Sequence, residues 1–241
     1  MSVVWRIERF DSVVSTQDTV FARARESARE GFVVHADIQE AGRGRHGREW
    51  VSKPGNLFLS LLLRPSCELQ MVGQLSLLTG LALFEAMAKF CGSESLSLKW
   101  PNDVLLGNDK CAGILLETDV TSDGGALDFV VIGVGVNIAH APMGAKLCDY
   151  SDNIDVVSFR NLFLEKFSYL YQQWQNDGFE TIRTEWLLHA HPRDIALSVK
   201  IGERLEKGFF HDIDAFGNLR LKDETGALKT ITAGDVYVTG D

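Results

Sequence analysis

Apolar positions near the start of the chain predict a strand followed by a helix. Residues 5–10 alternate in part between apolar and polar side chains, which favours a first strand. Apolar residues then recur at helical spacing between residues 20 and 28. Ser15 has a side chain suited to capping the N-terminus of this helix, and we expect Gly31 to end it.

The next apolar segments predict two strands and a long helix. Residues 32–38 form one strand-like run, and residues 57–63 form a second that is apolar at every position except Ser60. A continuous apolar run of this kind is typical of a strand inside a sheet. Residues 69–90 carry a broad apolar face at helical spacing, so we expect this helix to pack against the sheet.

A series of short strands joined by tight turns follows. Turn residues occur at 107–109 and at 122–125, so the strands on either side of each turn are predicted to pair antiparallel. Pro101 stops the first of these strands. The four predicted strands span residues 96–98, 104–106, 111–116 and 127–138.

The rest of the chain changes from helices to short strands. An irregular connection leads to an amphipathic helix over 159–174, whose apolar stripe we assign to the core, and to a further helix over 179–188. Short strands with regular turns then predict a small barrel of the SH3-like kind. We place a domain boundary near Pro192, which separates residues 1–192 from residues 193–241. The predicted strands of the second domain span residues 195–200, 205–213, 219–222, 228–231 and 236–238.

The composition is that of an ordinary soluble protein. The chain has 241 residues, of which 45% are hydrophobic and 24% are charged, and its formal net charge is −9. The four cysteines are far apart, so we expect reduced thiols in a cytoplasmic protein. The N-terminus lacks the apolar segment of a signal peptide, and the most apolar stretch, residues 75–84, is too short to span a bilayer.

Residues 39–50 carry the strongest chemical signal. Their closely spaced glycines disfavour a helix, and their arginines offer planar forks of donors suited to carboxylate and phosphate groups. We interpret the segment as a flexible loop that closes around a small anionic ligand. Two alternatives stay open: an ordinary solvated loop, and an arginine–glycine patch that binds nucleic acid. The acidic net charge disfavours the second alternative, because nucleic-acid binding usually needs a broad basic surface.

Two later features are further candidates for ligand contact. Lys110 lies at the base of a predicted hairpin, close to Ala112 and Gly113, two small residues that let a ligand approach the backbone. Gly133 and Gly135 alternate along a strand and clear one of its faces, on which a flat ligand can lie. Taken alone, a solvated lysine is the simpler interpretation of Lys110, and close strand–helix packing also explains the glycines.

Taken in order, these motifs resemble those of biotin protein ligases, in the form that lacks an N-terminal DNA-binding domain. The segment QEAGRGRHGREW at 39–50 resembles the glycine- and arginine-rich biotin loop of that family, and KWPND at 99–103 matches a second motif. KCAGIL at 110–115 and IGVGVN at 132–137 resemble two more, and the Ser-Thr pair at 15–16 matches one near the start. Together these motifs are highly specific, although each alone is not.

The chain departs from the family pattern in two respects. The Ser-Thr pair is commonly followed by Asn in the family, whereas this chain has Gln17. No winged helix-turn-helix precedes the catalytic motifs, so we expect no role in binding DNA.

The resemblance implies an enzyme that makes biotinyl-5′-adenylate from biotin and ATP and then transfers biotin to a lysine of a biotin carboxyl carrier protein. Mg²⁺ is expected because ATP phosphates need it. The implied protein is cytoplasmic, binds neither DNA nor membrane, and has a fold in which sheet-edge homodimers occur. Two alternatives remain, a lipoate or octanoate protein ligase and a non-catalytic biotin-binding sensor. Ligases that activate lipoate typically carry a different loop, Arg-Arg-x-x-Gly-Gly-Gly, which this sequence does not contain.

The resemblance also implies a fold and roles for individual residues. The implied fold is α+β, a mixed and mainly antiparallel sheet with helices on one side, similar to class II aminoacyl-tRNA synthetase and biotin synthetase cores. Lys110 would bridge the biotin carboxylate and the α-phosphate, and Asp103 would orient the carrier lysine or serve only as a turn carboxylate. The implied catalytic residues are Lys110, Arg45, Arg48 and Asp103. The implied biotin-binding residues are Ser15, Thr16, Gln39, Gly42, Arg43, Arg45, Lys110, Gly113, Gly133 and Gly135. The implied nucleotide-binding residues are Arg48, Trp50, Lys99, Asn102 and Asn137.

Overall fold

The larger of two sheets in the computed structural model has seven strands, and each strand predicted for this region is present. The structure describes residues 3–121 and 125–238. The strands cross the sheet in the order β1-β2-β3-β7-β6-β5-β4. Their bounds are β1 (Arg6–Val13), β2 (Phe32–Gln39), β3 (Leu57–Leu63), β4 (Leu96–Lys99), β5 (Asp103–Leu106), β6 (Asp109–Val120) and β7 (Leu127–Val136).

The sheet is mixed but mainly antiparallel, as predicted. β1 and β2 run parallel, and the other neighbouring strands run antiparallel. β3 lies inside the sheet with all of its residues buried, in agreement with its apolar sequence. Of the turn predicted at 122–125, residues 122–124 lie outside the described residues.

Four α-helices cover both faces of this sheet. Two long helices pack on the face that carries Leu61 and Ile132. The first helix instead buries Val20 on the opposite face, where Leu62 and Val131 point, because successive side chains of a strand alternate between its faces. The expectation that the helices lie on one side is therefore wrong for the first helix. The helices are α1 (Thr16–Arg25), α2 (Val72–Cys91), α3 (Val156–Asp177) and α4 (Glu180–Leu188).

α1 begins as predicted but ends earlier. Ser15 caps it, since its Oγ accepts a hydrogen bond from the Asp18 amide at 3.3 Å. The helix ends at Arg25 rather than at Gly31, because Ser27 adopts a left-handed conformation with φ of 72°. Gly31 has a φ of 84° and forms the turn into β2 instead.

α2 is the apolar helix at the centre of the core. With the short 3-10 turn before it, it forms a helical segment of 23 residues, Leu69–Cys91, which is long and apolar enough to cross a membrane by length and composition alone. The helix predicted over 69–90 is therefore confirmed, and the apolar stretch 75–84 lies within it. Because 72% of its most apolar window is buried inside the protein, packing in the core accounts for its composition.

The second sheet contains the C-terminal strands, which confirms the α+β class and the small C-terminal β domain. Its strands pair antiparallel in the order β11-β10-β9-β8-β12. β11 and β12 stand at the two edges, and within the described part of the chain no pairing closes the sheet into a barrel. The bounds are β8 (Ala196–Ile201), β9 (Arg204–Ile213), β10 (Leu219–Lys222), β11 (Leu228–Ile231) and β12 (Asp235–Val238).

The two sheets share one hydrophobic core. Its main cluster contains residues of α2 and β4 together with residues of β8, β9 and β10. Two hydrogen bonds from buried side chains reinforce the junction, from Gln74 Nε2 to the Ala215 carbonyl at 2.7 Å and from Trp100 Nε1 to the Gly217 carbonyl at 2.9 Å. The boundary near residue 192 stays a prediction.

Candidate ligand-binding site

A cavity opens on the face of the large sheet that carries α1. β6 and β7 form its floor, the N-terminus of α1 forms one wall, and the loop after β2 covers it. All of the implied biotin-binding residues except Gly42 line this cavity. The fold thus brings together motifs that lie more than one hundred residues apart in the sequence, from Ser15 to Gly135.

Buried polar side chains form a hydrogen-bonded network at one end of the cavity. The Thr16 amide donates to Gln39 Oε1 at 2.9 Å, and Thr16 Oγ1 lies 2.9 Å from Ser60 Oγ. Ser60 Oγ in turn donates to Gln17 Oε1 at 3.0 Å, and Gln17 Nε2 donates to the Val131 carbonyl at 3.1 Å. Since buried polar groups are held in place by such bonds, the network presents a fixed wall of donors and acceptors.

The glycines of β6 and β7 form a flat floor, and the indole of Trp50 lies on it. A methyl group at Gly135 would lie 2.5 Å from Trp50 Cε2, and one at Gly113 would lie 2.9 Å from Trp50 Cζ3. The remaining space is about 50 Å³, enough for a few water molecules. A bicyclic ligand on this floor must therefore displace the indole.

The glycine- and arginine-rich loop is folded as a small hairpin. The Gly44 amide donates to the Arg48 carbonyl at 2.7 Å, and the Trp50 amide donates to the Gly42 carbonyl at 2.8 Å. Residues Arg45–Gly47 form a 3-10 turn between these bonds. In the structure the loop has a defined shape held by its own backbone hydrogen bonds, and its flexibility stays a prediction.

The loop arginines contact three different parts of the molecule. Arg43 pairs with Asp18 of α1 and, at 3.4 Å, with Glu117 of β6, so it ties the loop to both sides of the cavity. Arg48 pairs with Asp235 at the start of β12.

Arg45 is the loop arginine that reaches furthest into the site. Its NH1 atom donates to Asn102 Oδ1 at 3.2 Å and to the Gly234 carbonyl at 3.3 Å. Burial lowers the pKa of the Arg45 guanidinium, and the nearby carboxylate of Asp235 raises it in part. Arginine remains charged at neutral pH, so Arg45 places a cation where water screens it poorly.

Lys110 lies where this cavity meets a second one. Its Nζ is 2.6 Å from Asp103 Oδ1 and 5.3 Å from the centre of a Trp50 ring. The second cavity is larger, about 410 Å³, and all four implied catalytic residues line it. Five residues line both cavities: Gly44, Arg45, Trp50, Asn102 and Lys110.

The implied nucleotide-binding residues lie mostly in the second cavity. Arg48, Trp50, Asn102 and Asn137 line it. The side chain of Asn137 is also structural, since its Nδ2 donates to a backbone carbonyl of the following loop at 3.2 Å. Asn102 is anchored similarly, through a 2.7 Å bond from its Nδ2 to a carbonyl of β6, which leaves its Oδ1 for Arg45.

Two of the implied site residues line neither cavity. Gly42 lies at the closed base of the loop, where a side chain would collide with the Trp50 carbonyl. Lys99 points towards the C-terminal sheet, with its Nζ 5.8 Å from the ring centre of Tyr237, and burial lowers its pKa.

Three residues of the site were missed or undervalued in the sequence. Ser60 is the single polar residue of β3, and that exception was its only signal. Gln17 stands out in the sequence only as a departure from the family pattern, although its Oε1 fills the space that Gly133 leaves free. Asp235 had no local signal, because it follows Arg48 by 187 residues and joins the site only through the fold.

The site offers little to hold a metal ion by protein ligands alone. Among residues 3–121 and 125–238, no three His, Cys, Asp or Glu side chains are grouped as a metal site. Two of the four carboxylates that line the second cavity, Asp103 and Asp235, are each paired with a cation. Mg²⁺ that accompanies a nucleotide would thus be held chiefly by phosphate oxygens and water, as is usual for this ion.

Comparison with known protein families classifies the fold and the site. The chain belongs to the biotin/lipoate A/B protein ligase family, whose sequence model matches residues 10–137. The model of the biotin protein ligase C-terminal domain matches residues 201–238, within the second sheet and its connections. The family predicted from the sequence motifs is therefore confirmed.

Individual relatives are similar over nearly the whole chain. The chain is 36% identical to the biotin–[acetyl-CoA-carboxylase] ligase of Paracoccus denitrificans. The alignment spans 219 residues and covers 86% of this chain and 90% of that protein. The chain is 34% identical over 253 residues to the ligase of the same name from Mycobacterium tuberculosis, with 96% and 89% covered. Its structure resembles that of a mutant biotin protein ligase from Aquifex aeolicus in complex with biotin, with a TM-score of 0.82, 25% identity, and 97% and 99% of the two chains covered.

Proposed function

We propose that this protein is an ATP-dependent biotin protein ligase. In the first step it joins the biotin carboxylate to the α-phosphate of ATP, which gives biotinyl-5′-AMP and pyrophosphate. In the second step the amino group of a carrier lysine attacks the acyl carbon, so that an amide bond forms and AMP leaves. The carrier in this proposal is a biotin carboxyl carrier domain of acetyl-CoA carboxylase, the acceptor in the names of the two relatives.

The observation that carries the proposal is the position of Lys110 and Arg45 at the junction of two cavities. One cavity has a glycine floor and a polar wall, which suit a flat ring system with a ureido group. The other is larger and contains Arg48, which suits a nucleotide with its phosphates. A carboxylate held in the first cavity and a phosphate held in the second would meet at Lys110 and Arg45.

The first step requires charge neutralisation, because it brings two anions together. Two unit charges 4 Å apart repel by about 1 kcal/mol in bulk water and by about 4 kcal/mol near a protein surface. Lys110 and Arg45 oppose this repulsion and stabilise the charge that grows on the α-phosphate. No covalent enzyme intermediate is needed, so the task of the protein is positioning and electrostatic stabilisation.

The loop has a second task, which is to protect the adenylate from water. Biotinyl-5′-AMP is a mixed anhydride and hydrolyses readily when it is exposed. The pairs that Arg43 makes with Asp18 and Glu117 hold the loop across the cavity mouth, which supports this role. Trp50, once displaced from the glycine floor, remains beside the second cavity, where its ring can pack near the adenine.

Asp103 is assigned to the transfer step. The carrier lysine arrives as an ammonium ion and must lose a proton before it can attack. Asp103 already holds one ammonium group, that of Lys110, at 2.6 Å, so its carboxylate is placed to orient a second one and to accept its proton. A cytoplasmic location and the lack of a role with DNA or membranes complete the proposal and stay expectations of the sequence, which leaves the oligomeric state open.

The proposal is tested by ATP–pyrophosphate exchange with purified protein and Mg²⁺, in the presence of biotin, lipoate, octanoate or no acid. We expect exchange that depends on biotin alone. Exchange with lipoate or octanoate instead would keep the reaction type and change the substrate. A folded sample that binds biotin but shows no exchange with any acid would point to a sensor.

The variant Lys110→Ala tests the central residue. We expect exchange to fall by about a hundredfold or more, because the cation that meets both substrates is lost. The fold should persist, since 39% of the Lys110 side chain is exposed. Lys110→Arg, which keeps the charge, should retain part of the activity, and Lys53→Ala, at an exposed lysine, should retain all of it. Near-normal exchange in Lys110→Ala would remove this residue from the mechanism.

A further inference from the structure

The C-terminal sheet reaches the cations of the second cavity. Arg45 donates to the Gly234 carbonyl at 3.3 Å, and the Lys99 ammonium lies 5.8 Å from the ring centre of Tyr237. Of these three contacts, that of Arg48 with Asp235 joins opposite charges. Residues 234–237 at β12 thus contact three cations of the large domain that the sequence motifs assign to the site.

The two partners of this ion pair differ in how firmly they are held. Asp235 begins β12, which pairs antiparallel with β8, and the next residue, Val236, is buried in the shared core. Only 22% of the Asp235 side chain is exposed. Arg48 lies on the loop hairpin, and 59% of its side chain is exposed. Asp235 is therefore a fixed anion, and Arg48 is a side chain that can move away from it.

We propose that Asp235 is a positioning residue that holds Arg48 in the second cavity and competes with the phosphates of ATP for it. The inference rests on the proposed function, in which Arg48 contacts those phosphates. Nucleotide binding then exchanges one anionic partner of Arg48 for another, and the released carboxylate repels the incoming phosphates. The pair also holds the loop hairpin against the C-terminal sheet until the exchange takes place.

Because phosphate replaces Asp235 as the partner of Arg48, the proposal predicts the direction in which removal of the Asp235 charge changes ATP binding. Asp235→Asn keeps the size of the side chain but removes both the competitor for Arg48 and the repulsion of phosphate. The variant should therefore bind ATP more tightly. Because ion pairs with an exposed partner are weak, we expect the KM for ATP to fall by about threefold to fivefold. The KM for biotin should stay unchanged.

The kinetic test compares Asp235→Asn with Asp109→Asn in ATP–pyrophosphate exchange. Asp109 lines the same cavity and has no ion pair among the described residues, so this control removes an equal charge without touching Arg48. We expect a lower KM for ATP in Asp235→Asn and no comparable change in the control. If the KM for ATP falls equally in both variants, the cause is general repulsion between carboxylate and phosphate and not competition for Arg48. A higher KM in Asp235→Asn would mean that the carboxylate assists nucleotide binding. Either result overturns the proposal.

A double-mutant cycle with Arg48→Gln isolates the pair itself. If Asp235 acts mainly through Arg48, Asp235→Asn should lower the KM for ATP clearly less in the Arg48→Gln background, where only the repulsion of phosphate is removed. A fall as large as in the native background would contradict the competition.

Limited trypsin digestion without substrates supplies a readout that does not depend on activity. Trypsin cleaves after the loop arginines, and we expect cleavage there to be several-fold faster in Asp235→Asn than in the native protein or in Asp109→Asn. Unchanged cleavage would show that the pair does not hold the loop. If the native protein shows no exchange with any acid, the proposed function fails, and the digestion still decides whether the pair restrains the loop.

Discussion

At the scale of single residues, His35 shows how strongly the fold alters a side chain that the sequence leaves unremarkable. It is 1% exposed on β2, and its Nδ1 lies 3.1 Å from NH1 of Arg160 on α3. Burial, assisted by the charge of Arg160 and partly opposed by Asp37, lowers the pKa of His35 to about 4. The imidazole is therefore neutral in the folded protein at neutral pH.

We predict that this histidine makes the folded state less stable in mild acid. In the unfolded chain His35 titrates near pH 6.5, whereas in the folded chain it stays neutral down to about pH 4. Its contribution to stability is present above pH 6.5 and is lost as the pH falls towards 4. Between pH 7 and pH 5 the free energy of unfolding should decrease by about 2 kcal/mol through this residue. Urea denaturation at several pH values measures the decrease.

The matched variants are His35→Gln, which cannot titrate, and His140→Gln, at an exposed position. His35→Gln should weaken the dependence of unfolding free energy on pH between 7 and 5, whatever its stability at pH 7; burial also lowers the pKa of His189 and His191, so part of the dependence remains. His140→Gln should leave that dependence as it is. A pH dependence that is the same in all three proteins would exclude His35 as its source.

At the scale of elements, the strand β7 serves the core with one face and the ligand site with the other. Val134 and Val136 point into the main core, whereas Gly133 and Gly135 face α1 and the loop. The alternation follows from the period of two residues in a strand. Glycine is needed at these positions because each has a side chain of another element directly above it, Gln17 over Gly133 and Trp50 over Gly135.

We predict that Gly135→Ala weakens biotin binding more than it weakens the fold. The added methyl group would displace the Trp50 indole, which belongs to a loop and can shift, but it would also occupy the floor on which the ring system lies. An extra methyl group in a close-packed site costs about 1–3 kcal/mol, which corresponds to a rise of about fivefold to about 150-fold in the KM for biotin. Exchange assays and urea denaturation separate the two effects.

Val136→Ala is the control on the opposite face of the same strand. It should lower the free energy of unfolding by about 1–3 kcal/mol, since Val136 is fully buried, and it should leave the KM for biotin unchanged. If Gly135→Ala destabilises the fold and leaves biotin binding intact, the glycine serves packing alone.

At the scale of the whole molecule, the two sheets are joined by a continuous core and by buried hydrogen bonds. Gln74 is central to the junction, because its Nε2 donates to the Ala215 carbonyl at 2.7 Å and its Oε1 accepts from Trp174 Nε1 at 2.6 Å. One amide therefore connects α2 with both α3 and the C-terminal domain. This junction holds the turn between β9 and β10 of the C-terminal sheet against α2.

We predict that the protein unfolds in one cooperative transition and that Gln74→Leu lowers its stability without splitting that transition. The substitution leaves a buried carbonyl and a buried indole N–H without partners, at a cost of about 1–3 kcal/mol each. Gln70→Leu, at an exposed position four residues earlier, should change stability by less than about 0.5 kcal/mol. Calorimetry that resolves two transitions in the native protein would contradict a shared core.

The sequence by itself determined most of the elements and the chemistry of the site. Periods of two and of 3.6 residues predicted the strands and long helices, because burial of one face imposes these periods on the sequence. The ordered motifs identified the family, and with it most of the residues that line the first cavity. The end of α1 escaped prediction, because a left-handed Ser27 is a local conformation that side-chain pattern does not encode.

Only the tertiary structure decided which face of the sheet each element covers and which distant residues meet. α1 lies opposite the other helices, and Ser60 and Gln17 join one polar network, because strand register and alternation bring them to the same face. Asp235 reaches Arg48 across 187 residues of sequence. Periodicity reports how each segment is buried, but contacts between distant segments depend on how the segments pack, and no local pattern contains that information.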